Sequence, residues 1–198
     1  MDIKRVYVHE TIYDDFLATM VAVGQTMKSG DSTNPEAVLG PIQNSMQYAK
    51  LQTLYHDIGK QGLKTALGGG LTPSDAPNDT GYWVTPTILD NPPEDSHLVN
   101  DEHFGPIVPV LKWSDEEDVI RRANTSQFGL GGSVWTADIA RGERIARQLE
   151  AGSVWVNAHF SVGPQVSFGG FKNSGISVES GMEGLKGWCN PQAVWVKK

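Results

Sequence analysis

The sequence alternates between short runs of strand composition and longer runs with helical periodicity along most of its 198 residues. Runs rich in β-branched and aromatic residues begin at Arg5, Ile107, Gly132 and Ser153, and helix-like runs separate them. Strands that alternate with helices form parallel sheets, because each crossover returns the chain to the same end of the sheet. The pattern predicts an α/β fold: a single doubly wound, mostly parallel sheet with helices on both faces.

Helix-capping residues, prolines and glycines mark the boundaries of these elements. Asn44, with Gln47 three residues later, and Asp138 both precede apolar-periodic runs and can accept hydrogen bonds from free backbone N–H groups. Pro109 interrupts a strand-like run, and since proline has no N–H to donate, it predicts an edge or distorted strand. Residues 68–81 hold four glycines and two prolines, which predicts an exposed, mobile loop.

Composition restricts the partners and the compartment. Sixteen basic and twenty-three acidic residues give a net charge of -7, and the scattered basic residues make nucleic acid and membrane poor partners. No apolar window approaches the roughly 18 residues of a membrane span, and the start carries no targeting pattern, so we expect a cytoplasmic protein. A single cysteine, Cys189, fits a reducing compartment, and we predict that it is buried and inert.

Several kinds of catalytic site have no support in the sequence. The five histidines are too dispersed for a recognisable metal-ligand set, so no metal is expected. A phosphate-binding glycine-lysine loop and a Gly-x-Ser-x-Gly elbow are both missing from the sequence, which argues against phosphoryl transfer and serine hydrolysis.

Residues 154–175 contain more recognisable sequence features than any other stretch of similar length. The stretch opens with Val154-Trp-Val156, a strand-like run, and continues as a loop that contains four glycines. Glycines let the backbone adopt positive φ or let another group approach closely, and loops that follow sheet strands carry binding groups in α/β proteins. A binding site in this loop is therefore the first hypothesis.

Two motifs carry a resemblance to the aldehyde dehydrogenase superfamily. Trp155-Val-Asn157, followed by Phe168-Gly-Gly-Phe-Lys-Asn-Ser-Gly175, resembles the last signature of that family. Asp101-Glu-His-Phe-Gly-Pro106 independently resembles its Glu-x-Phe-Gly-Pro element. Further segments follow in the family's order and with similar spacing, namely residues 5–10, 40–44, 124–130 and 151–157. The resemblance covers nearly the whole chain and implies the fold of a catalytic domain of that family.

The resemblance also implies which parts the sequence lacks. In the family, the nucleophilic cysteine lies a few residues before the strand that reads Lys4-Arg-Val-Tyr-Val-His9 here, and this sequence begins just after that point. The dinucleotide-binding domain, the glutamate base and the oxyanion-hole asparagine lie further upstream in the family. We therefore expect that this chain alone will not oxidise aldehydes, and that it uses no cofactor unless a complementing domain brings NAD or NADP.

Site residues follow from the same resemblance. Glu102 and Phe104 match the positions that hold the nicotinamide ribose in the family. In this chain we expect them to be vestigial cofactor-binding residues unless another domain presents the cofactor. Asn157 either lines the substrate pocket or satisfies loop backbone groups. His159 is the candidate catalytic residue, as a titratable group at the pocket mouth; the alternative is a partly buried histidine bonded to backbone.

Three further positions, Phe160, Val162 and Phe168, match residues that line the aldehyde tunnel of the family. They imply an apolar pocket for a hydrophobic small molecule. The C-terminal run at residues 193–196 has strand composition without a local partner, and in the family this arm pairs with a neighbouring subunit. We predict a catalytic-domain portion at 1–188 and an oligomerisation strand at 189–198, with homo-oligomer formation through residues 192–198.

Three functions remain open at this stage. The chain could bind a hydrophobic small molecule in its apolar pocket, with a non-redox step such as isomerisation or cyclisation. It could instead be a portion of an NAD(P)-dependent aldehyde dehydrogenase that works only with its missing half. The third alternative is a catalytically silent interaction protein that binds a full-length relative through its C-terminal arm.

Overall fold

The computed structural model describes residues 3–71 and 81–198, and the chain divides into two units, Met1–Asp115 and Glu116–Lys198. Residues 72–80, the larger part of the predicted loop at 68–81, lie outside the described residues. The α/β class with mainly parallel pairing in the principal sheet, predicted from the alternation of strands and helices, is confirmed.

The first unit begins with a strand and a short helical turn and then alternates helices with strands. In chain order its elements are β1 (Val6–His9), a 3-10 helix (Glu10–Ile12), α1 (Tyr13–Gln25), β2 (Lys28–Ser29), β3 (Ala37–Leu39), α2 (Ser45–Gln61), β4 (Thr65–Leu67), β5 (Thr87–Asp90), α3 (His97–Asn100) and β6 (Ile107–Trp113). Four of these strands form one sheet in the order β1-β6-β5-β4. The first three strands in that order are parallel, and β4 joins antiparallel at the edge.

The core of the first unit lies on both faces of this sheet. Successive side chains of a strand point to opposite faces, and in β5 the adjacent residues Ile88 and Leu89 enter two different clusters. Leu89 packs with side chains of α2 such as Leu51, whereas Ile88 packs with Tyr13, the first residue of α1. One helix therefore covers each face, as the sequence predicted for this α/β class.

The cap at the start of α2 is confirmed. The Asn44 side-chain oxygen accepts a hydrogen bond from the Gln47 backbone nitrogen at 2.8 Å. Helix α2 ends at Gly62, whose φ of 62° lies in the left-handed region that glycine adopts without strain. Helix α1 begins at Tyr13, directly after the 3-10 turn of residues 10–12.

The prediction that Pro109 places its strand at an edge or in a distorted position is wrong, because β6 lies between β1 and β5. On the β5 side, the Pro106 and Val110 carbonyl oxygens accept hydrogen bonds from the Thr87 and Asn91 backbone nitrogens. The backbone groups of successive residues in a strand point alternately to the two neighbouring strands, so those of Pro109 point towards β1. Pairing with β1 starts only at Val110. The missing N–H therefore removes no hydrogen bond from the ladder, and the proline is tolerated inside the sheet.

The second unit consists of shorter elements around a parallel strand pair. They are α4 (Glu116–Asn124), β7 (Phe128–Gly129), β8 (Gly131–Val134), α5 (Ile139–Ala146), β9 (Ser153–Val156), β10 (Phe168–Gly169), β11 (Phe171–Lys172), β12 (Val178–Glu179) and α6 (Gly181–Lys186). Strands β8 and β9 are parallel, β10 pairs with β12, and β11 pairs with β7. The predicted cap is confirmed: the Asp138 carboxylate accepts from the Arg141 backbone nitrogen at 3.0 Å.

The C-terminal region differs from its prediction at one position. Cys189 was expected to be buried, but it is exposed, because the chain leaves the end of α6 without covering it. Residues 190–198 carry no secondary structure, and Val194, Trp195 and Val196 are 75%, 94% and 83% exposed. In the described part of the chain, no helix is long and apolar enough to cross a membrane.

Candidate functional site

The loop after β9 is anchored to the end of β8 by Asn157. Its side-chain oxygen accepts from the Thr136 backbone nitrogen, and its side-chain nitrogen donates to the Thr136 carbonyl oxygen, both at 2.8 Å. The backbone nitrogen of Asn157 donates to the Val134 carbonyl, and its φ is 52°. The side chain thus continues the β8–β9 pairing by one residue, which is the second of the two roles that the sequence left open.

His159 lies two residues further along and contacts both strands. Its Nδ1 atom is 2.6 Å from the Ser133 hydroxyl oxygen of β8. Its ring meets the indole of Trp155 from β9 edge-on, with 5.7 Å between the ring centroids. The histidine is exposed, and its described hydrogen bond goes to a side chain rather than to backbone.

The indole of Trp155 also holds the returning loop. Its Nε1 donates to the Ser161 carbonyl oxygen at 2.7 Å. Trp155 and Ser133 are register partners, so they project from the same face of the strand pair. The opposite face is covered by α5. Gly142 of α5 packs so closely against Val156 of β9 that a Cβ added to this glycine would lie 2.8 Å from Val156 Cγ1. Trp155 and His159 therefore stand on the face that α5 leaves open.

A cleft of about 390 Å³ lies between β9 and the loop that follows it. Its walls combine apolar side chains with hydroxyl groups; the residues that line it are Trp155, Val154, Val162, Val166, Phe168, Ser153, Ser161, Ser167 and Gly152. The volume is at the lower end of the range typical of small-molecule sites, which is about 300–1,000 Å³. Its size suits the apolar part of one small molecule.

The residues singled out from the sequence fall into two groups. Val162 and Phe168 line the cleft, whereas Asn157, His159 and Phe160 do not. Trp155 and Val166 line it without having been singled out. Val154 lines it as well, so residues from both faces of β9 border the cleft and strand alternation did not mark them.

The first unit contains a smaller cleft of about 280 Å³ beside Phe104. Its other lining residues come from α2 and the segment before it, namely Gln43, Asn44, Met46, Gln47 and Lys50. Phe104 has a φ of 47° and its ring is largely exposed. The Gln47 side chain donates to the carbonyl oxygens of His103 and Phe104, which fixes this strained turn from one side.

Glu102 is exposed and does not line that cleft; its charge acts on Lys4. Partial burial, together with the neighbouring Arg5 guanidinium, lowers the pKa of Lys4 to about 8, while Glu102 and Asp101 oppose that shift. Lys4 also donates a hydrogen bond to the Asn100 carbonyl oxygen. Lys4 and Glu102 thus belong to one group of charges at the start of β1.

Among the described residues, no set of three or more histidine, cysteine, aspartate or glutamate side chains could hold a metal ion.

Comparison with known proteins assigns the chain to a family. The profile of the aldehyde dehydrogenase family matches residues 1–194, so the chain belongs to this family. It is 38% identical over 194 residues to a betaine aldehyde dehydrogenase from Brucella anthropi, covering 98% of this chain and 39% of that protein. It is 36% identical over 194 residues to a 2-hydroxymuconic semialdehyde dehydrogenase from Pseudomonas putida, covering 98% of this chain and 40% of that protein.

Solved structures give the same assignment. The NAD+ complex of an aldehyde dehydrogenase from Bacillus cereus matches with a TM-score of 0.89 and 34% identity, covering 98% of this chain and 38% of that one. The chain therefore spans about 40% of the length of the curated relatives that it matches. The family resemblance stated from the Phe168–Gly175 and Asp101–Pro106 motifs is confirmed.

Proposed function

We propose that this chain binds a hydrophobic small molecule in the cleft between β9 and the loop after it. The observation that carries the proposal is the lining of this cleft by the apolar side chains of Trp155, Val154, Val162, Val166 and Phe168. Aromatic and aliphatic walls with a few polar groups are the usual composition of small-molecule sites. In an aldehyde dehydrogenase, such a cleft would hold the apolar part of the substrate.

The chemistry available beside this cleft is proton transfer. His159 is the titratable side chain that contacts its aromatic wall, and an imidazole can accept and return a proton near neutral pH. A non-redox step such as isomerisation or cyclisation would use His159 in this way, with the apolar walls holding one conformer of the substrate.

A second proposal is that the chain contributes to an NAD(P)-dependent aldehyde dehydrogenase together with further sequence. The match to NAD+-bound structures favours it. The cleft beside Phe104, at about 280 Å³, fits a sugar-sized part of a dinucleotide but not the whole. Glu102 is exposed and does not line this cleft, so it would accept hydrogen bonds only from ribose hydroxyls that extend beyond it. The nicotinamide group, when bound, supplies the hydride acceptor.

Ligand binding is testable with a simple ketone. We expect 4-phenylbutan-2-one to bind the 198-residue chain, and Phe168→Ala to weaken the binding by about tenfold, since burying an aromatic side chain against a ligand contributes roughly 1.5–3 kcal/mol. A ketone avoids the imines that aldehydes form with lysines. Isothermal titration calorimetry and native mass spectrometry measure the affinity and the stoichiometry.

The matched control for this experiment is Phe16→Ala. Phe16 lies on α1 in the first unit and is 39% exposed. Phe16→Ala removes the same ring atoms as Phe168→Ala, but from a residue that does not line the cleft. We expect it to leave the affinity unchanged. Equal affinities for the wild-type chain and Phe168→Ala would refute the cleft as the binding site.

For residues 189–198 we propose an oligomerisation strand, separate from the catalytic-domain portion at 1–188. The exposed run Val194, Trp195 and Val196 has strand composition and lies outside any sheet in the described chain. Such a segment gains main-chain hydrogen bonds and buries apolar area by adding to the sheet edge of a second subunit. The proposed partner is a second copy of this chain.

Deleting residues 192–198 is expected to reduce the oligomer to monomers, because it removes both the apolar side chains and the backbone groups of the added strand. Light scattering after size exclusion gives the mass. Replacing Lys197 and Lys198 by alanine is the control, since it alters the end of the arm but keeps the apolar run. An oligomer of unchanged mass after the deletion would exclude this assembly.

A further inference from the structure

The ammonium group of Lys172 joins three segments of the second unit. Lys172 lies in β11, and its Nζ atom donates to the Asn124 carbonyl oxygen at 2.6 Å and to the Ser126 carbonyl oxygen at 3.0 Å. The Glu150 carboxylate oxygen Oε2 lies 2.6 Å from the same Nζ atom. A lysine ammonium carries three N–H donors, so these acceptors match its full capacity. The side chain is 26% exposed, so most of it is shielded from water.

The acceptors are themselves fixed by hydrogen bonds. Asn124, the last residue of α4, donates through Nδ2 to the Gln148 carbonyl oxygen at 2.8 Å. Its Oδ1 atom accepts from the Glu150 backbone nitrogen at 2.9 Å, so the end of α4 is tied to the segment that leads into β9. Two carbonyl oxygens and a carboxylate meet at this point, and the Lys172 ammonium offsets their combined negative charge.

Both sides of this contact continue into the wall of the cleft. Gly152, two residues after Glu150, lines the cleft, and so does Phe168, four residues before Lys172. A Cβ at Gly152 would lie 1.8 Å from the Gly169 carbonyl oxygen, so the two chain segments touch through their backbones. The ion pair between Lys172 and Glu150 therefore bridges the same two segments a few residues away from the cleft.

The backbone at Lys172 needs such support. Its φ of 54° lies in the left-handed region, which residues with a side chain adopt only where the surrounding structure holds them. Strand β11 pairs with β7 through two residues, Phe171 opposite Gly129 and Lys172 opposite Phe128. The contacts of the ammonium add to this short pairing and hold β11 in place.

We propose that Lys172 is a positioning residue of the cleft: its ammonium holds β11 to Glu150 and to the end of α4, and so sets where Phe168 stands relative to Gly152. The inference rests on the proposed binding function and deepens it. Lys172 does not line the cleft, so it acts on a bound molecule through the wall that it positions.

The position of the Phe168 ring can be measured without a ligand. In protein made with 4-fluorophenylalanine, the fluorine NMR signal of residue 168 is assigned by its disappearance in Phe168→Leu. We expect Lys172→Met, which keeps the apolar stem but removes the charge and the donors, to move or broaden this signal. Lys172→Arg keeps a charged donor and should return the signal to its wild-type position. Glu150→Gln keeps an acceptor and should move the signal less than Lys172→Met does.

Two control variants in the second unit separate positioning from lost stability. Lys186→Met removes an ion pair of the same 2.6 Å length, with Glu183 on α6. Val119→Ala removes buried apolar atoms from α4 and lowers stability while it leaves the ammonium in place. Both controls should leave the Phe168 signal where it is. A signal that is unchanged in Lys172→Met, or that moves as far in Val119→Ala, overturns the proposal.

Ligand affinity is the second readout. We expect Lys172→Met to weaken the binding of 4-phenylbutan-2-one by about threefold to tenfold, which is typical of residues that act through a connected network, and Lys172→Arg to restore it. If the ketone binds and its Kd is the same in Lys172→Met, the positioning role is refuted while the cleft stands. If the ketone does not bind the wild-type chain, the binding function fails, and the fluorine signal still decides whether Lys172 positions Phe168.

Discussion

Replacing Leu89 by alanine is expected to lower the free energy of unfolding by about 2–5 kcal/mol, the range for large-to-small changes in a packed core. Leu89 is fully buried, at 0% exposure, in β5, an interior strand of the four-stranded sheet. It packs in a cluster that includes Leu51 and Tyr55 of α2. The cavity left by alanine lies between the sheet and the buried side chains of α2, which are themselves closely packed, so neighbouring groups can fill it only in part.

Urea unfolding followed by circular dichroism measures this loss, and hydrogen exchange localises it. In Leu89→Ala the amides of β5 and β6 should exchange faster, since these strands share a ladder. Val38→Ala removes branched apolar atoms from β3 at a position that is 64% exposed, so its stability should change by less than about 0.5 kcal/mol. If the two variants were equally stable, β5 would not occupy the centre of the core described above.

Local signals in the sequence predicted most of the fold because each acts within a few residues. The Asn44 and Asp138 side chains cap their helices by accepting hydrogen bonds from backbone nitrogens three residues ahead, so the local sequence alone identifies them. The position of Pro109 depended instead on where β1 begins to pair with β6, which is a relation between segments about a hundred residues apart. A local rule about proline could not contain that information, and the prediction of an edge or distorted strand was wrong.

The same distinction applies to the candidate site. The glycine-rich loop was identified by composition, but the positions of its first side chains are set by hydrogen bonds to residues of β8 and of the segment after it. Asn157 is held by Thr136, and His159 by Ser133, which lies 26 residues earlier in the chain. Periodicity does not extend into a loop, so nothing in the sequence separated Val162, which lines the cleft, from Phe160, which does not.

Gly152→Ala is expected to have the largest effect on the cleft. A Cβ at this position would lie 1.8 Å from the Gly169 carbonyl oxygen and 2.7 Å from its carbon, so backbone would have to move. The backbone nitrogen of Gly152 donates to Gly129, and Gly169 is paired with Val178, so both sides of the contact are held. We expect a loss of about 1–3 kcal/mol in stability. Binding of 4-phenylbutan-2-one should weaken by more than about tenfold, because Gly152 and Phe168 both line the cleft.

Gly59→Ala isolates this steric effect from the general consequences of replacing glycine. Gly59 lies within α2, and no atom stands within 4 Å of its added Cβ. There the substitution should raise stability by about 0.5–1 kcal/mol, since alanine loses less backbone entropy than glycine in a helix, and it should leave ligand binding intact. A Gly152→Ala chain with the stability and the affinity of the wild type would show that the Gly169 peptide is free to move away. The close approach of Gly152 to the Gly169–Gly170 backbone would then not be what shapes the cleft.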